Sequence, residues 1–184
     1  MNKLIIIFFS LFLTNAFASL DKIILPKGFI ISEFASNILN PRSMVLSEDG
    51  KTIFVGSRGA KKVYAIKDLD ADGKVDQTWV LYDNLSQPHG VAIKGNDLYI
   101  SQTTSIKVAR NILKNLSSPP KLEIILDGLP DNPWHGWKKI AFGPDRKLYF
   151  SIGSSCDACI EEHDLLATIN KLDLTTRKVE RVAN

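Results

Sequence analysis

Recurring cationic side chains, a run of aspartates, a cysteine pair and an isolated histidine could do chemistry in this 184-residue chain. Arg42, His89 and Lys138 occupy matching places, each two residues before a short apolar segment. If those segments surround a common axis, the three side chains ring one end of it, and such a ring suits an anionic ligand. The alternative for each is a solvated or salt-bridged loop residue, and His89 could simply occupy a turn.

The run of aspartates resembles the start of a calcium-binding loop. Asp68, Asp70 and Asp72 alternate along the chain, a glycine follows them, and Asp76 stands at a compatible ninth position. The twelfth position, which is Glu in an EF-hand, is Trp79. The run also lies between two strand-like segments and not between helices. A calcium site and a polar hairpin turn are therefore both open.

Cys156 and Cys159 form a C-x-x-C pair. Ile160 follows them where a haem-attachment motif has His, which excludes a c-type haem. A single pair lacks two of the four ligands of a structural zinc site, and the βαβ context of a thioredoxin-like motif is missing. In an exported protein a local disulfide is the simplest state.

His135 precedes the third of the apolar segments by five positions. Imidazole has an ordinary pKa near neutrality, so a histidine at this place could act as a general base. The alternative is a loop histidine that only packs on Trp134 or Trp137.

The elements that would position these residues repeat along the chain. Segments aligned on Met44, Val91 and Ile140 are spaced by 47 and 49 positions. Each contains a short apolar strand, a tight turn and an aromatic strand, which is a β-hairpin pattern. Two further strands are predicted after each hairpin, at residues 63–66, 78–82, 106–109, 122–126, 168–172 and 179–182.

Four antiparallel strands per repeat, with a period near fifty residues, predict an all-β fold built from β-propeller blades. The blades fall near residues 42–83, 88–127 and 135–183, within a domain of residues 19–184. About three blades of a six-bladed ring are then present, so we expect a fragment of a larger propeller. A further strand is predicted over residues 29–34. A β-sandwich is the alternative architecture.

Residues 1–18 have the pattern of a secretory signal peptide. Lys3 precedes an apolar segment over residues 4–13, and Ala16 and Ala18 provide a small-x-small cleavage site. The apolar segment is shorter than the roughly twenty residues needed to span a bilayer. We therefore expect a periplasmic or secreted chain with no membrane span after cleavage. A net charge of +3 without a basic block gives no sign of nucleic-acid binding.

Several stretches together resemble the glucose/sorbosone dehydrogenase family, which depends on pyrroloquinoline quinone, and most of all its L-sorbosone dehydrogenase branch. The most specific stretch is HGWKKIAFGPD at 135–145, followed by the cysteine pair. The others are LPKGF at 25–29, RSM at 42–44, FVGSRG at 54–59 and DGLP at 127–130. The resemblance covers nearly the whole chain after residue 18, but only the first half of the family's domain.

The resemblance implies an exported six-bladed propeller that oxidises a sugar or a sorbosone-like substrate and passes electrons to a downstream acceptor. It implies that His135 takes the proton of a substrate hydroxyl while hydride passes to the quinone. Arg42, His89 and Lys138 would then bind the carboxylates of that cofactor. Trp134 stands where the glucose-oxidising branch has an acidic residue, so the sugar pocket should differ. We expect the fragment itself to be inactive.

Two other functions remain open at this point. A sugar-lactone hydrolase on the same kind of propeller would need a metal cage of Glu, Asn and Asp side chains in the channel. A non-catalytic propeller that only binds a partner is the other alternative, since a fold does not determine function.

Overall fold

Twelve β-strands and two short 3-10 turns form the regular structure of residues 20–131 and 135–184, which are the residues that the computed structural model describes. The predicted signal peptide and Trp134 lie outside these residues. The strands are β1 Ser43–Leu46, β2 Thr52–Ser57, β3 Lys62–Lys67, β4 Gln77–Tyr82, β5 Val91–Lys94, β6 Asp97–Ser101, β7 Ile106–Ala109, β8 Glu123–Leu126, β9 Ile140–Phe142, β10 Leu148–Ile152, β11 Thr168–Leu172 and β12 Val179–Ala183.

The strands form three separate four-stranded antiparallel sheets in simple meander order. Blade 1 is β1-β2-β3-β4, blade 2 is β5-β6-β7-β8, and blade 3 is β9-β10-β11-β12. Each begins with the tight hairpin that the repeat predicts, for example the β1–β2 turn, where Gly50 takes a φ of 71°. The predicted all-β fold of propeller blades is confirmed.

The blades stack through their apolar faces, because successive strand residues point to opposite sides of a sheet. In β6, Leu98 and Ile100 belong to the core shared with blade 1, whereas Tyr99 belongs to the core shared with blade 3. The first strands also lie side by side, since β1 contacts β5 and β5 contacts β9. β1, β5 and β9 are therefore the innermost strands, and they surround a common axis. One end of this axis lies where the three strands begin, and the other lies where they end.

The strand predicted over residues 29–34 is wrong, because the structure has no strand there. Ile30 is 95% exposed, and a short apolar run becomes a strand only where a partner supplies a ladder of hydrogen bonds. The chain divides into two compact units, Met1–Glu33 and Phe34–Asn184. Within the second unit, Phe34, Ala35 and Ile38 pack without strand structure on the face of blade 1 that points away from blade 2.

Among the described residues, no helix combines the length and the apolar character needed to cross a membrane.

Candidate functional site

The antiparallel hairpins bring the residues before each innermost strand and the residues after each second strand to the same end of the axis. Arg42 and His89 occupy equivalent backbone positions there. The amide of Arg42 donates to the carbonyl of Gly56 at 2.9 Å, and the amide of His89 donates to that of Ser101 at 3.3 Å. Two of the three residues singled out from the repeat, Arg42 and His89, therefore lie at one end of the blades.

Four basic side chains gather at this end, and we call Arg42, Arg58, His89 and Lys139 the cation cluster. Arg42, Arg58 and Lys139 are all close enough to His89 to lower the pKa of its imidazole. The Lys139 ammonium donates to the Ser43 hydroxyl at 2.9 Å, which links blade 3 directly to blade 1. Each of the three blades contributes to the cluster.

The indole of Trp137 lies beside the cluster and contacts two histidines. The guanidinium carbon of Arg58 is 4.0 Å from the centre of the Trp137 ring, which is a cation–π contact. The ring of His135 meets the indole edge-on at 5.8 Å between centroids, and the ring of His89 lies tilted at 6.3 Å. Arg58 follows β2 and Trp137 precedes β9, so this contact also joins blade 1 to blade 3.

His89 has an unusual environment for an imidazole. It is partly buried, and its Nδ1 atom is buried without a hydrogen-bond partner among the described residues. Burial, followed by the charges of Arg42, Lys139 and Arg58, lowers the pKa of His89 to about 4. His89 is therefore neutral near pH 7, and the positive charge of the cluster comes from its other three members.

The backbone that carries these side chains is tightly packed between blades. A side chain at Gly56 would overlap the carbonyl of His89, and one at Gly90 would overlap the carbonyl of Lys138. The hydroxyl of Ser101 donates to the same Lys138 carbonyl at 2.6 Å and accepts from the amide of Gly90 at 2.9 Å. These contacts fix the positions of the innermost strands relative to one another at the site.

Lys138 was expected to complete the cationic ring with Arg42 and His89, but its side chain points into the protein interior. Its side chain is fully buried, and its ammonium donates to the carbonyls of Thr103, Gly136 and Pro130. Burial lowers the pKa of Lys138 to about 8, and the negative charge of Asp131 acts in the opposite direction. The exposed lysine beside Ser43 is its neighbour Lys139, because adjacent residues point to opposite sides of an extended segment.

His135 lies at the same end of the blades as the cation cluster. It is exposed and adopts a left-handed conformation with φ of 56°, and its carbonyl and Cβ leave no room for a side chain at Gly153. Its imidazole is therefore accessible to a ligand that lies beside Trp137.

Arg58, Trp137 and Lys139 were not among the site residues predicted from the sequence. The repeat pointed to one cationic position before each innermost strand, whereas antiparallel pairing also brings the residues after β2, β6 and β10 to the same end. Arg58, directly after β2, could have been found from that rule. The sequence could not show which of Lys138 and Lys139 faces the site, because that depends on which of the two side chains is buried.

The aspartate run forms a compact loop between β3 and β4. Carboxylate oxygens of Asp68, Asp70 and Asp76 all lie within 4.8 Å of one another, and Asp72 is not part of this group. Asp68 accepts hydrogen bonds from the amides of Ala71 and Gly73 at 2.8 and 3.0 Å. These bonds hold the loop in a turn, and the calcium site stays a prediction.

The cysteine pair forms a disulfide in a loop after β10. Glu161 organises the same loop by accepting hydrogen bonds from the hydroxyls of Ser154 and Ser155 at 2.5 and 2.6 Å. The sulfur atoms are bonded to each other, so in this state they are not thiolate ligands for a metal.

One family model matches the chain, over residues 16–183, and its description is "Domain of unknown function (DUF7133)". No curated protein matches the chain.

Solved structures with the same fold include enzymes that bind pyrroloquinoline quinone. The PQQ domain of pyranose dehydrogenase from Coprinopsis cinerea is 16% identical, with a TM-score of 0.65 over 76% of this chain and 35% of that chain. A Carbohydrate-Active Enzymes family AA12 protein from Trichoderma reesei is 19% identical, with a TM-score of 0.65 over 78% and 38%. The PQQ-bound aldose sugar dehydrogenase from Streptomyces coelicolor is 17% identical, with a TM-score of 0.56 over 78% and 47%.

These likenesses show a shared propeller fold. The chain spans less than half of the length of each of these three structures.

Proposed function

The chain belongs to the DUF7133 family, and we propose that it forms part of a propeller that binds pyrroloquinoline quinone and oxidises a sugar-type substrate. The observation that carries this proposal is the cation cluster at one end of the innermost strands, beside the indole of Trp137. The fold shared with quinone-binding sugar dehydrogenases supports it.

The residues of the cluster fit the chemistry of this cofactor. Pyrroloquinoline quinone is a planar aromatic molecule with three carboxylates, and Arg42, Arg58 and Lys139 provide three positive charges at one place. Guanidinium groups can bind carboxylates through two parallel hydrogen bonds, and indole rings pack well against planar ligands. A lactone hydrolase would need a metal cage of Glu, Asn and Asp side chains. The cation cluster consists of basic residues instead.

The roles of the chain's own residues follow from this arrangement. When bound, the quinone supplies a two-electron acceptor. Arg42, Arg58 and Lys139 would hold its carboxylates, and Trp137 would limit where its ring plane can lie. His135 is exposed beside Trp137 and has room to accept the proton of a substrate hydroxyl at a ring nitrogen. The substrate, a sorbosone-like aldehyde or another sugar, and the downstream electron acceptor belong to the proposal, as does a periplasmic or secreted location.

Cofactor binding by the purified chain tests the first half of this proposal. Titration with pyrroloquinoline quinone should quench tryptophan fluorescence, and the double variant Arg42→Gln/Lys139→Gln should bind at least about tenfold more weakly, because charge-assisted hydrogen bonds contribute roughly 1.5–3 kcal/mol each. The matched control is Lys94→Gln/Arg146→Gln. These two basic residues line a pocket at the opposite end of the innermost strands, where β5 ends and the β9–β10 turn lies. Equal affinity in the two double variants, or no binding by the unaltered chain, would overturn the proposal.

The variant His135→Ala separates binding from proton transfer. It should retain the quinone affinity of the unaltered chain, because His135 is not one of the cations that would hold the carboxylates. Within an intact propeller that oxidises sugar, its turnover at saturating quinone should fall by about a hundred- to ten-thousand-fold, the usual contribution of a general base. Unchanged turnover there would remove His135 from the role of base.

A further inference from the structure

His89 is the member of the cation cluster that is neutral in the free chain near pH 7 and can gain a charge when its surroundings change. Arginine stays protonated in proteins, whereas imidazole has an ordinary pKa of about 6.5 and responds to the charges around it. Any ligand that alters the charges around His89 therefore alters its protonation.

The position of the His89 imidazole is closely defined. Its residue is held by the backbone hydrogen bond to Ser101 and by the close contact of its carbonyl with Gly56. Its ring lies tilted against Trp137. One ring nitrogen, Nδ1, is buried and without a hydrogen-bond partner among the described residues. The imidazole is thus fixed among three positive charges, and one of its nitrogens accepts or donates no hydrogen bond within the described part of the chain.

The groups that determine the charge of His89 come from two blades. Arg42 and Arg58 belong to blade 1, and Lys139 belongs to blade 3. Burial is the largest effect that lowers the pKa of His89, and the positive charges of Arg42, Lys139 and Arg58 lower it further, to about 4. The side chain of Trp137 adds no charge. An anion bound between the three cations would cancel the repulsion and place negative charge beside the ring.

We propose that binding of a polycarboxylate anion to the cation cluster is coupled to the uptake of one proton by His89. The identity of the anion as pyrroloquinoline quinone rests on the proposed function, whereas the coupling itself rests only on the placement of the four side chains. Linkage is reciprocal, so a proton on His89 also tightens the binding of the anion.

The sign and size of the effect follow from linkage. The free chain has His89 neutral above about pH 4, so protons are taken up on binding between that pH and the pKa of the complex. If the anion restores an ordinary pKa of about 6.5, the dissociation constant at pH 5 should be about 30-fold lower than at pH 7.5. Above pH 7.5 the affinity should no longer depend on His89.

The experiment is isothermal titration calorimetry of the purified chain at pH 5.5, in two buffers that differ in ionisation enthalpy. Pyrroloquinoline quinone and benzene-1,2,4-tricarboxylate serve as separate probes. About 0.9 proton should be taken up per bound probe if the pKa in the complex is near 6.5. His89→Gln should lose this uptake. His163→Gln should keep it, because His163 is an exposed histidine outside the groups whose charges or rings act on His89.

The outcomes separate this inference from the proposed function. Quinone binding without proton uptake, or with uptake that persists in His89→Gln, overturns the coupling and leaves the proposed function in place. Uptake with the tricarboxylate but no binding of the quinone supports the coupling and overturns the proposed function. If neither probe binds, both are overturned. An NMR titration that shows an ordinary pKa of 6.5 for His89 in the free chain also overturns the coupling.

Discussion

Lys138 and Lys139 are neighbours in the chain and differ in almost every other respect. The ammonium of Lys138 is completely buried and donates to three backbone carbonyls, whereas the side chain of Lys139 is exposed and reaches Ser43 of blade 1. Two of the three carbonyls, those of Pro130 and Gly136, lie in the segment that leads into blade 3, and the third, that of Thr103, follows β6 of blade 2. Lys138 therefore ties blade 2 to the loop before β9, and Lys139 remains available to a ligand.

Replacing these two lysines should separate stability from ligand binding. Lys138→Met removes the donor and leaves the buried carbonyls without a partner, which costs about 1–3 kcal/mol of unfolding free energy. Lys139→Met removes a single hydrogen bond, to Ser43, from an exposed side chain and should cost less, about 0.5–1 kcal/mol. Urea denaturation at pH 7 measures both values. Equal losses for the two variants would contradict a structural role for Lys138.

At the scale of one element, the loop between β3 and β4 brings together three carboxylates that are separate in the sequence. The loop reverses through Ala71 and Gly73, which have φ values of 62° and 84°. Asp76 accepts a hydrogen bond from the amide of Leu69 at 2.6 Å, which closes the loop at its base. The turn is thus stabilised by hydrogen bonds within the protein, whether or not it also binds a cation.

The predicted calcium site can be tested with two closely matched substitutions. Asp70→Asn should abolish calcium binding measured by calorimetry, because Asp70 is one of the three clustered carboxylates. Asp72→Asn should keep most of it, because Asp72 is outside that group, although both aspartates accept one amide hydrogen bond in the same loop. If millimolar calcium neither binds nor raises the melting temperature of the unaltered chain, the loop is only a polar turn.

At the scale of the whole molecule, the blades stack in order, and their outer faces differ from the faces they share. Val45 of β1 packs toward blade 2, whereas Met44 and Leu46 on the opposite face are 64% and 52% exposed. On blade 3, Ile169 and Val182 are 47% and 49% exposed. Apolar side chains on the two outermost sheets are therefore accessible to solvent.

We expect the purified chain to self-associate through these faces, since exposed apolar patches and free sheet edges favour association. Size-exclusion chromatography with light scattering should show species larger than the monomer at micromolar concentration. Met44→Glu/Ile169→Glu should shift the distribution toward the monomer. The control Ile124→Glu, at a 55% exposed position on the middle blade, should not. A monodisperse monomer of the unaltered chain would contradict this expectation.

The sequence by itself determined the blades. The period of the hairpin pattern is a local property, because strand alternation and turn residues act over a few positions. The predicted segments therefore coincide closely with β3, β7 and β11 and with their neighbours. The same pattern could not determine whether residues 29–34 form a strand, because an apolar run becomes a strand only when the edge of a sheet elsewhere in the chain pairs with it.

Only the tertiary structure decided which side chains meet at the site. The sequence located Arg42 and His89, whose positions relative to the innermost strands repeat. It did not distinguish Lys138 from Lys139, because burial depends on how blade 2 approaches the loop before blade 3. It also did not find the contact between Arg58 and Trp137, which are 79 positions apart and meet through the packing of blades 1 and 3 around the axis. The low pKa of His89 has the same origin, since burial and charges from two different blades produce it together.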